Sequence, residues 1–254
     1  MGDGMKALIT GASSGIGRAI AIELSKKGYD LIIVARRKKR LEELKEQLNC
    51  NVEIIAIDLS STFNCIKLYE QVKDEKIDIV INNAGFGLAG TFMETNLDRE
   101  LDMIDLNIKS VHTLTKCFLR DFEERNNGYI LNVASIAAFQ PGPLMATYYA
   151  TKSYVHSMTM AINEELRKAK SKVYIGCLCP GPVNTEFNDV ANVELSLPGL
   201  SSEFVAEYTI KKMFKRKAVI IPGWKIKTAF ILSKLSPSRL ALHVVYKISK
   251  KKVN

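Results

Sequence analysis

The clearest indication of the fold of this 254-residue chain is a stretch near its beginning, Leu8-Ile9-Thr10-Gly11-Ala12-Ser13-Ser14-Gly15-Ile16-Gly17. Its apolar beginning predicts a short strand, and apolar residues recur at helical spacing over the positions that follow its last glycine. Gly11 can adopt backbone angles that other residues avoid, while Gly15 and Gly17 allow the main chain to approach a ligand closely. A strand that turns through glycines into a helix N-terminus predicts a loop that binds phosphate.

Six further apolar runs alternate with helical patterns along the chain. Together with the first, the predicted strands are residues 6–10, 30–35, 52–57, 77–81, 128–133, 173–178 and 218–221. These runs are apolar at nearly every position and are separated by helices long enough for crossovers, which favours a parallel sheet covered on both faces. The predicted fold class is therefore α/β, with residues 1–254 forming a single-domain, doubly wound parallel sheet of about seven strands.

Composition agrees with a globular protein. Hydrophobic residues make up 47% and charged residues 25% of the chain, which argues against disorder. The five cysteines show neither metal-ligand nor disulfide-framework spacing, so we expect no metal site and a reducing, cytoplasmic location. Cys177 and Cys179 alternate along one apolar strand and are expected to form a buried structural pair.

Tyr148 and Lys152 stand four residues apart on a predicted helix, 13 residues after Ser135. Positions i and i+4 share a helix face, so the lysine ammonium group is expected to lie near the phenol and to lower its pKa. A phenol tuned in this way can act as a general acid or base. Taken alone, such a pair is more often part of a solvated helix surface than a site.

In combination, the motifs of this chain resemble the short-chain dehydrogenase/reductase family. The residues that carry the resemblance are Thr10 to Gly17, Asn82-Asn83-Ala84-Gly85, Asn107, Ser135, Tyr148 with Lys152, and Pro180-Gly181-Pro182-Val183, all in the family's order. The resemblance covers about residues 5 to 222. It implies a Rossmann fold, a nicotinamide dinucleotide cofactor, and hydride transfer between the nicotinamide and a carbon that bears oxygen.

The resemblance also implies a role for each of four catalytic residues. Tyr148 would be the general acid in reduction or the base in oxidation, and Ser135 would bind the substrate oxygen. Lys152 would hold the nicotinamide ribose and lower the pKa of Tyr148, and Asn107 would anchor a water that relays protons. Ser135 alone could be a strand-end hydroxyl and Asn107 a polar residue within a long helix over 97–124. Asparagine is unfavourable inside a helix, which favours a special role.

Cofactor choice is read from the end of the second strand, where a carboxylate would favour NAD. This chain instead has Arg36 and Arg37, which favour the 2′-phosphate of NADP(H). Lys38, Lys39 and Arg40 are interpreted as the start of a surface helix. The predicted cofactor-binding residues are Gly11, Ser13, Ser14, Gly15, Ile16, Gly17, Arg36, Arg37, Asp58, Leu59, Asn82, Ala84, Gly85, Tyr148, Lys152, Pro180, Gly181, Val183 and Thr185.

Substrate specificity is expected to reside in residues 141–147, in a lid over 186–201, and at the C-terminus. Tyr149 is expected to form a wall of the pocket. Apolar residues in these segments indicate a pocket for a hydrophobic ligand, or alternatively ordinary core packing; they are Phe139, Pro143, Leu144, Met145, Phe187, Leu195 and Leu197.

Three functions fit this sequence. The leading hypothesis is an NADPH-dependent reductase that converts a hydrophobic ketone to an alcohol. The second is an NADP-dependent alcohol or hydroxysteroid dehydrogenase that works in the oxidative direction with the same residues. The third is a non-catalytic dinucleotide sensor, for which a lesion among the four catalytic positions would be expected.

Charge is concentrated at the C-terminus. Residues 211–254 carry 13 Lys or Arg and no Asp or Glu, whereas the rest of the chain carries 23 Lys or Arg and 27 Asp or Glu. Residues 224–254 are predicted to be a basic helical extension, which could cap the pocket, meet an acidic substrate or lie on an anionic membrane. No nucleic-acid motif accompanies these cations. Family resemblance implies a homodimer or homotetramer that pairs the helices over 97–124 and 147–170.

Overall fold

A seven-stranded parallel sheet forms the centre of the molecule in a computed structural model, which describes residues 4–192, 199–224, 226–228 and 238–250. Its strands are β1 (Lys6–Thr10), β2 (Asp30–Ala35), β3 (Val52–Ala56), β4 (Ile79–Asn82), β5 (Tyr129–Val133), β6 (Tyr174–Leu178) and β7 (Val219–Ile220). The strand order is β3-β2-β1-β4-β5-β6-β7. The predicted α/β, doubly wound fold is confirmed, with strand ends that differ from the predicted ones by at most two residues.

Helices cover both faces of the sheet. They are α1 (Gly15–Ser25), α2 (Lys38–Lys45), α3 (Thr62–Val72), α4 (Leu97–Ile104), α5 (Val111–Glu124), α6 (Ala146–Lys168), α7 (Phe187–Ala191), α8 (Ser202–Phe214) and α9 (Ser238–Lys250). Side chains of α1, α2 and α8 pack on one face with Ala7 and Ile9 of β1. Those of α3 and α5 pack on the other face with Leu8. Successive residues of one strand therefore feed opposite cores, which explains why the strand is apolar throughout.

The chain reverses its direction of winding between β1 and β4, which are neighbours in the sheet. In open parallel sheets, ligands bind at such a switch point, outside the carboxyl ends of the strands. The loops that carry most of the predicted site residues follow β1, β2, β3, β4, β5 and β6. The fold therefore gathers segments far apart in sequence at one edge.

The long helix predicted over 97–124 is continuous but not uniform. A π-helical segment, Asp105–Ser110, joins α4 to α5 and contains the buried Asn107. Such wide turns accommodate one extra residue and occur frequently at functional sites. Asparagine is unfavourable inside a regular helix, and Asn107 lies in an irregular, π-helical part of this one.

Candidate active site

The glycine loop after β1 has the tight geometry that its sequence predicts. Gly11 and Gly15 both have positive φ, at 66° and 54°. A Cβ atom on Gly11 would lie only 2.9 Å from the Cα of Ala84, so a side chain there would drive the two loops apart. The hydroxyl of Thr10 accepts hydrogen bonds from the backbone N–H groups of Asn83, at 2.9 Å, and Ala84, at 3.0 Å. The loops after β1 and β4 are thus held together.

A cavity of about 410 Å³ extends from this loop across the carboxyl ends of the strands. Eighteen of the 21 predicted site residues, counting Tyr148 and Lys152 once, line this cavity, and they come from the loops after β1 to β6 and from α6. Those that line the cavity are Gly11, Ser13, Ser14, Gly15, Ile16, Arg36, Arg37, Asp58, Leu59, Ala84, Gly85, Ser135, Tyr148, Lys152, Pro180, Gly181, Val183 and Thr185. The remaining three, Gly17, Asn82 and Asn107, are not among the lining residues.

The three predicted residues that do not line the cavity have structural roles instead. A Cβ atom on Gly17 would lie 2.4 Å from the carbonyl oxygen of Gly11, so this glycine lets α1 pack closely against the loop. The Asn82 amide donates to Thr115 Oγ1 at 3.1 Å and to Asn132 Oδ1 at 2.8 Å, inside the protein. It is Asn83 whose side chain reaches the glycine loop, where its amide donates to the Thr10 carbonyl at 3.0 Å.

Ser135 and Tyr148 meet at the far end of the cavity. Ser135 follows β5, and its hydroxyl is hydrogen-bonded to the Tyr148 phenol while accepting the backbone N–H of Ala137 at 3.1 Å. Tyr148 lies on the first turn of α6, where it is 8% exposed. The two hydroxyls are thus placed to bind one oxygen atom of a ligand.

Lys152 lies one turn further along α6, with its Nζ 5.8 Å from the centre of the Tyr148 ring. The Nζ donates to the carbonyl oxygen of Val133 at 3.0 Å. Burial lowers the pKa of Lys152 to about 8, against a smaller opposing effect of Cys177 and Cys179. The predicted one-turn spacing is present, and the lysine is a buried group rather than part of a solvated face.

The pKa of Tyr148 moves in the direction opposite to the expected one. Burial of the phenol raises its pKa well above the usual value, and the hydrogen bond from Ser135 only partly offsets this. The ammonium group of Lys152 donates to the Val133 carbonyl. Without a further ligand, the phenol therefore keeps its proton at neutral pH.

Asn107 braces the loop after β4. Its Oδ1 accepts the N–H of Phe86 at 3.0 Å, and its Nδ2 donates to the Phe86 carbonyl at 2.9 Å and to Thr151 Oγ1 at 3.1 Å. A Cβ atom on Gly85 would lie 2.8 Å from Asn107 Oδ1 and 3.5 Å from Lys152 Nζ. The side chain of Asn107 is therefore occupied by protein partners, and it fixes a backbone segment beside Lys152.

Two arginines lie at the opposite end of the cavity, after β2. Arg36 Nη1 lies 3.5 Å from Asp58 Oδ2, and both side chains are largely exposed. Burial raises the pKa of Asp58, but hydrogen bonds from Ser60 and the charge of Arg36 outweigh it and hold the pKa below its usual value. Arg37 turns back over the glycine loop, where it bonds Ser13 and Ser14. Both guanidinium groups thus lie at the cavity rim.

The wall near Tyr148 is apolar and aromatic. The ring centre of Phe187, on α7, lies 5.4 Å from that of Tyr148, and Met145 and Tyr149 also line the cavity. The expectation for Met145, Tyr149 and Phe187 is confirmed in that respect. Three other candidates, Phe139, Pro143 and Leu144, are not among the lining residues. Leu195 and Leu197 lie outside the described residues, as does the part of the predicted lid over 193–198.

Helix α9 packs against this wall from outside. Val245 and Ser249 are buried, and the Ser249 hydroxyl is hydrogen-bonded to that of Tyr149. Lys247 and Lys250 of the same helix are exposed. These two lysines therefore face solvent. No helix among the described residues is both long and apolar enough to span a membrane.

The short chain dehydrogenase family model matches residues 5–195 of this chain. The chain belongs to this family. An uncharacterized oxidoreductase of Staphylococcus epidermidis is 35% identical over 185 residues, which cover 72% of this chain and 80% of that protein. The resemblance inferred from the motifs is thereby confirmed.

Two solved structures of short-chain dehydrogenases resemble the whole fold. One, from Sphingobium yanoikuyae in complex with NADPH, has 28% identity and a TM-score of 0.82, covering 94% of this chain and 95% of that chain. The other, from Burkholderia phymatum in complex with NAD, has 25% identity and a TM-score of 0.83, covering 92% and 94%. The fold is thus shared with proteins whose complexes contain either dinucleotide.

Several cavity residues of this short-chain dehydrogenase were missed by sequence reasoning. Phe86 and Glu186 line the cavity, and Asn83 shapes it, although none was predicted as a binding residue. Asn83 lies within the recognised Asn-Asn-Ala-Gly motif. Because neighbouring side chains at the end of a strand point to opposite sides, the sequence did indicate that only one of the two asparagines could reach the cavity. Glu186 was assigned only to the lid, and nothing in the sequence linked it to the arginines after β2.

Proposed function

We propose that this protein is an NADPH-dependent reductase that converts a hydrophobic ketone to an alcohol. The observation that carries the proposal is the meeting of the Ser135 and Tyr148 hydroxyls at one end of a cavity whose other end is a glycine loop. A dinucleotide fits the residues present, because the glycine loop leads into the N-terminus of α1 at the cavity wall, where backbone N–H groups favour a phosphate. When bound, NADPH supplies the hydride.

Each residue of the active site has a defined task in this proposal. Ser135 donates a hydrogen bond to the ketone oxygen and holds it beside Tyr148. Tyr148 donates its phenolic proton to that oxygen as the carbonyl carbon is reduced, which its raised pKa allows because the phenol is protonated at neutral pH. Lys152 holds the nicotinamide ribose, and Asn107 keeps the backbone of Phe86 in position beside it.

The adenosine end of the cavity supports a preference for NADPH. Arg36 and Arg37 supply planar cations, which suit the doubly charged 2′-phosphate better than a ribose hydroxyl. Arg36→Asp is expected to weaken NADPH binding by about tenfold or more while changing NADH binding little. Fluorescence titration with both dinucleotides measures the ratio, and an unchanged ratio would refute the phosphate assignment.

The hydrophobic ketone is proposed from the walls near Tyr148, where Met145, Tyr149 and Phe187 leave an apolar surface. Tyr148→Phe tests the reaction itself, since it removes the proton donor and leaves the ring. We expect turnover of aliphatic, aromatic and steroid ketones to fall about 10²- to 10⁴-fold, with NADPH affinity retained. Equal loss of NADPH binding would mean that Tyr148 has a structural role.

Assembly and location extend the proposal. A homodimer or homotetramer through α4, α5 and α6 is supported by the exposed side chains of Leu97, Leu101 and Tyr154, and light scattering tests it.

We propose a cytoplasmic location for the protein. Peripheral membrane contact is supported by the exposed Lys247 and Lys250 on α9. Flotation with phosphatidylserine vesicles, but not with phosphatidylcholine vesicles, would support it, and no flotation with either would refute it.

A further inference from the structure

One carboxylate bridges two arginines at the adenosine end of the cavity. Arg37 Nη1 donates to Glu186 Oε2 at 2.8 Å, and Arg40 Nη1 is paired with Glu186 Oε1. The other terminal nitrogen of Arg37 donates to the hydroxyls of Ser13, at 3.1 Å, and Ser14, at 3.0 Å. Both terminal nitrogens of Arg37 are therefore engaged by partners that lie 149, 24 and 23 residues away in the sequence.

Glu186 lies at the junction of two pockets. It lines the cavity together with Ser13, Arg36 and Arg37, and it also lines a second, polar pocket that contains Arg18 and Arg40. A hydrogen bond from Arg37 and a weaker effect of the one from Arg40 hold the pKa of Glu186 below its usual value. The carboxylate is therefore charged at neutral pH. The side chain is 37% exposed, which leaves it able to move into solvent.

We propose that Glu186 is a specificity-determining residue, an internal anion that competes with the cofactor 2′-phosphate for Arg37. The inference rests on the proposed NADPH-dependent function. Carboxylate and phosphate oxygens present the same acceptor geometry to a guanidinium group, so one edge of Arg37 cannot serve both. NADH has no 2′-phosphate and leaves the Arg37–Glu186 pair in place. Glu186 therefore reduces the preference for NADPH that the arginines create.

The test compares Glu186→Gln with the wild-type protein. Glutamine keeps the size of the side chain and removes its charge, so Arg37 is released from competition. Exposed ion pairs are weak, and we expect NADPH to bind about two- to tenfold more tightly, with NADH affinity changed less than twofold. The fragments 2′,5′-ADP and 5′-AMP, which differ in the 2′-phosphate as NADPH and NADH do, are titrated in parallel by calorimetry. Glu186→Gln is expected to tighten the binding of 2′,5′-ADP and to change that of 5′-AMP less than twofold.

Glu43→Gln is the matched control. Glu43 lies on α2 and lines the same polar pocket as Glu186, but it is not a partner of Arg37 or Arg40 in the described part of the chain. Its replacement removes one negative charge from the neighbourhood without freeing an arginine. We expect it to shift the binding of all four ligands equally and slightly, which measures the general effect of charge.

Four results would overturn the inference. Glu186→Gln could tighten all four ligands alike, or it could weaken NADPH, in which case the carboxylate positions Arg37 for the phosphate. A wild-type protein that does not distinguish NADPH from NADH, with Arg36→Asp equally indifferent, would refute the proposed function and the inference with it. An NADPH preference that Arg36→Asp abolishes and Glu186→Gln leaves unchanged would refute the role of Glu186 alone.

Discussion

Lys152 is a buried cation whose position costs stability. Its residue is 6% exposed, and burial lowers its pKa from 10.5 to about 8. At pH values between about 8 and 10.5, Lys152 therefore binds fewer protons in the folded protein than in the unfolded chain. The unfavourable contribution is therefore complete below pH 8 and disappears as the pH rises towards 10.5. A residue kept at such a cost is typical of a functional site.

Lys152→Met is expected to stabilise the protein while it removes activity. At pH 7 the gain in the free energy of unfolding is expected to be about 2–3 kcal/mol, from the pKa shift and its conversion to energy. The gain is expected to shrink between pH 8 and pH 10. Chemical denaturation at several pH values measures it, with the exposed Lys116→Met as control. A Lys152 variant that is less stable at pH 7 would show that its bond to Val133 outweighs the cost of burial.

Asn82 and Asn83 show how far residue identity could be predicted from the sequence. The pair was recognised as one motif, but Asn82 is the last residue of β4 and Asn83 the first beyond it. Neighbouring side chains of an extended chain point to opposite sides, so only one of the two can reach the glycine loop. The choice depends on where the strand ends, and the predicted end at residue 81 was one residue short.

At the scale of elements, the central strands were predictable because they are buried on both sides. β1, for example, supplies Ala7 and Ile9 to one core and Leu8 to the other. The position of α7 was not predictable in the same way. Phe187 reaches Tyr148 from a separate segment of the chain, and the adjacent Glu186 pairs with arginines after β2. Contacts of this kind depend on how the loops fold together, which no local pattern encodes.

Helix α7 is expected to limit the size of the substrate. The ring of Phe187 lies against Tyr148 inside the cavity, so Phe187→Ala opens space at the reacting end. We expect the ratio of kcat/KM for a bulky ketone to that for a small one to rise about tenfold or more. Steady-state kinetics on a matched pair of ketones measures the ratio.

Asp189→Ala is the control for α7, because Asp189 is an exposed residue on the same short helix. It tests whether any change in α7 alters selectivity. If Asp189→Ala raised the ratio of kcat/KM for bulky and small ketones as much as Phe187→Ala does, the effect would come from loosening of the helix. The role of the Phe187 ring would then be refuted. Tm values for both variants check that the fold is retained.

At the scale of the whole molecule, the C-terminal 44 residues and the rest of the chain have net charges of opposite sign. Residues 1–210 have more acidic than basic residues, whereas 211–254 have only basic ones. The imbalance was visible in the sequence, but its structural meaning was not. The described part of α9 buries Val245 and Ser249 and exposes Lys247 and Lys250. Packing on the protein therefore accounts for one face of this helix, and the cations occupy the other.

Docking of α9 is expected to shape the substrate end of the cavity and to leave cofactor binding unaffected. Val245→Asp places a charge in the buried contact and is expected to detach the helix, so that Tyr149 loses its hydrogen bond from Ser249. We expect KM for hydrophobic ketones to rise about three- to tenfold, while the NADPH dissociation constant stays within twofold. His243→Asp adds the same charge on the exposed face and is expected to change neither. Equal weakening of NADPH and ketone by Val245→Asp would mean that α9 supports the sheet as a whole, because the glycine loop and Arg36 lie at the opposite end of the cavity.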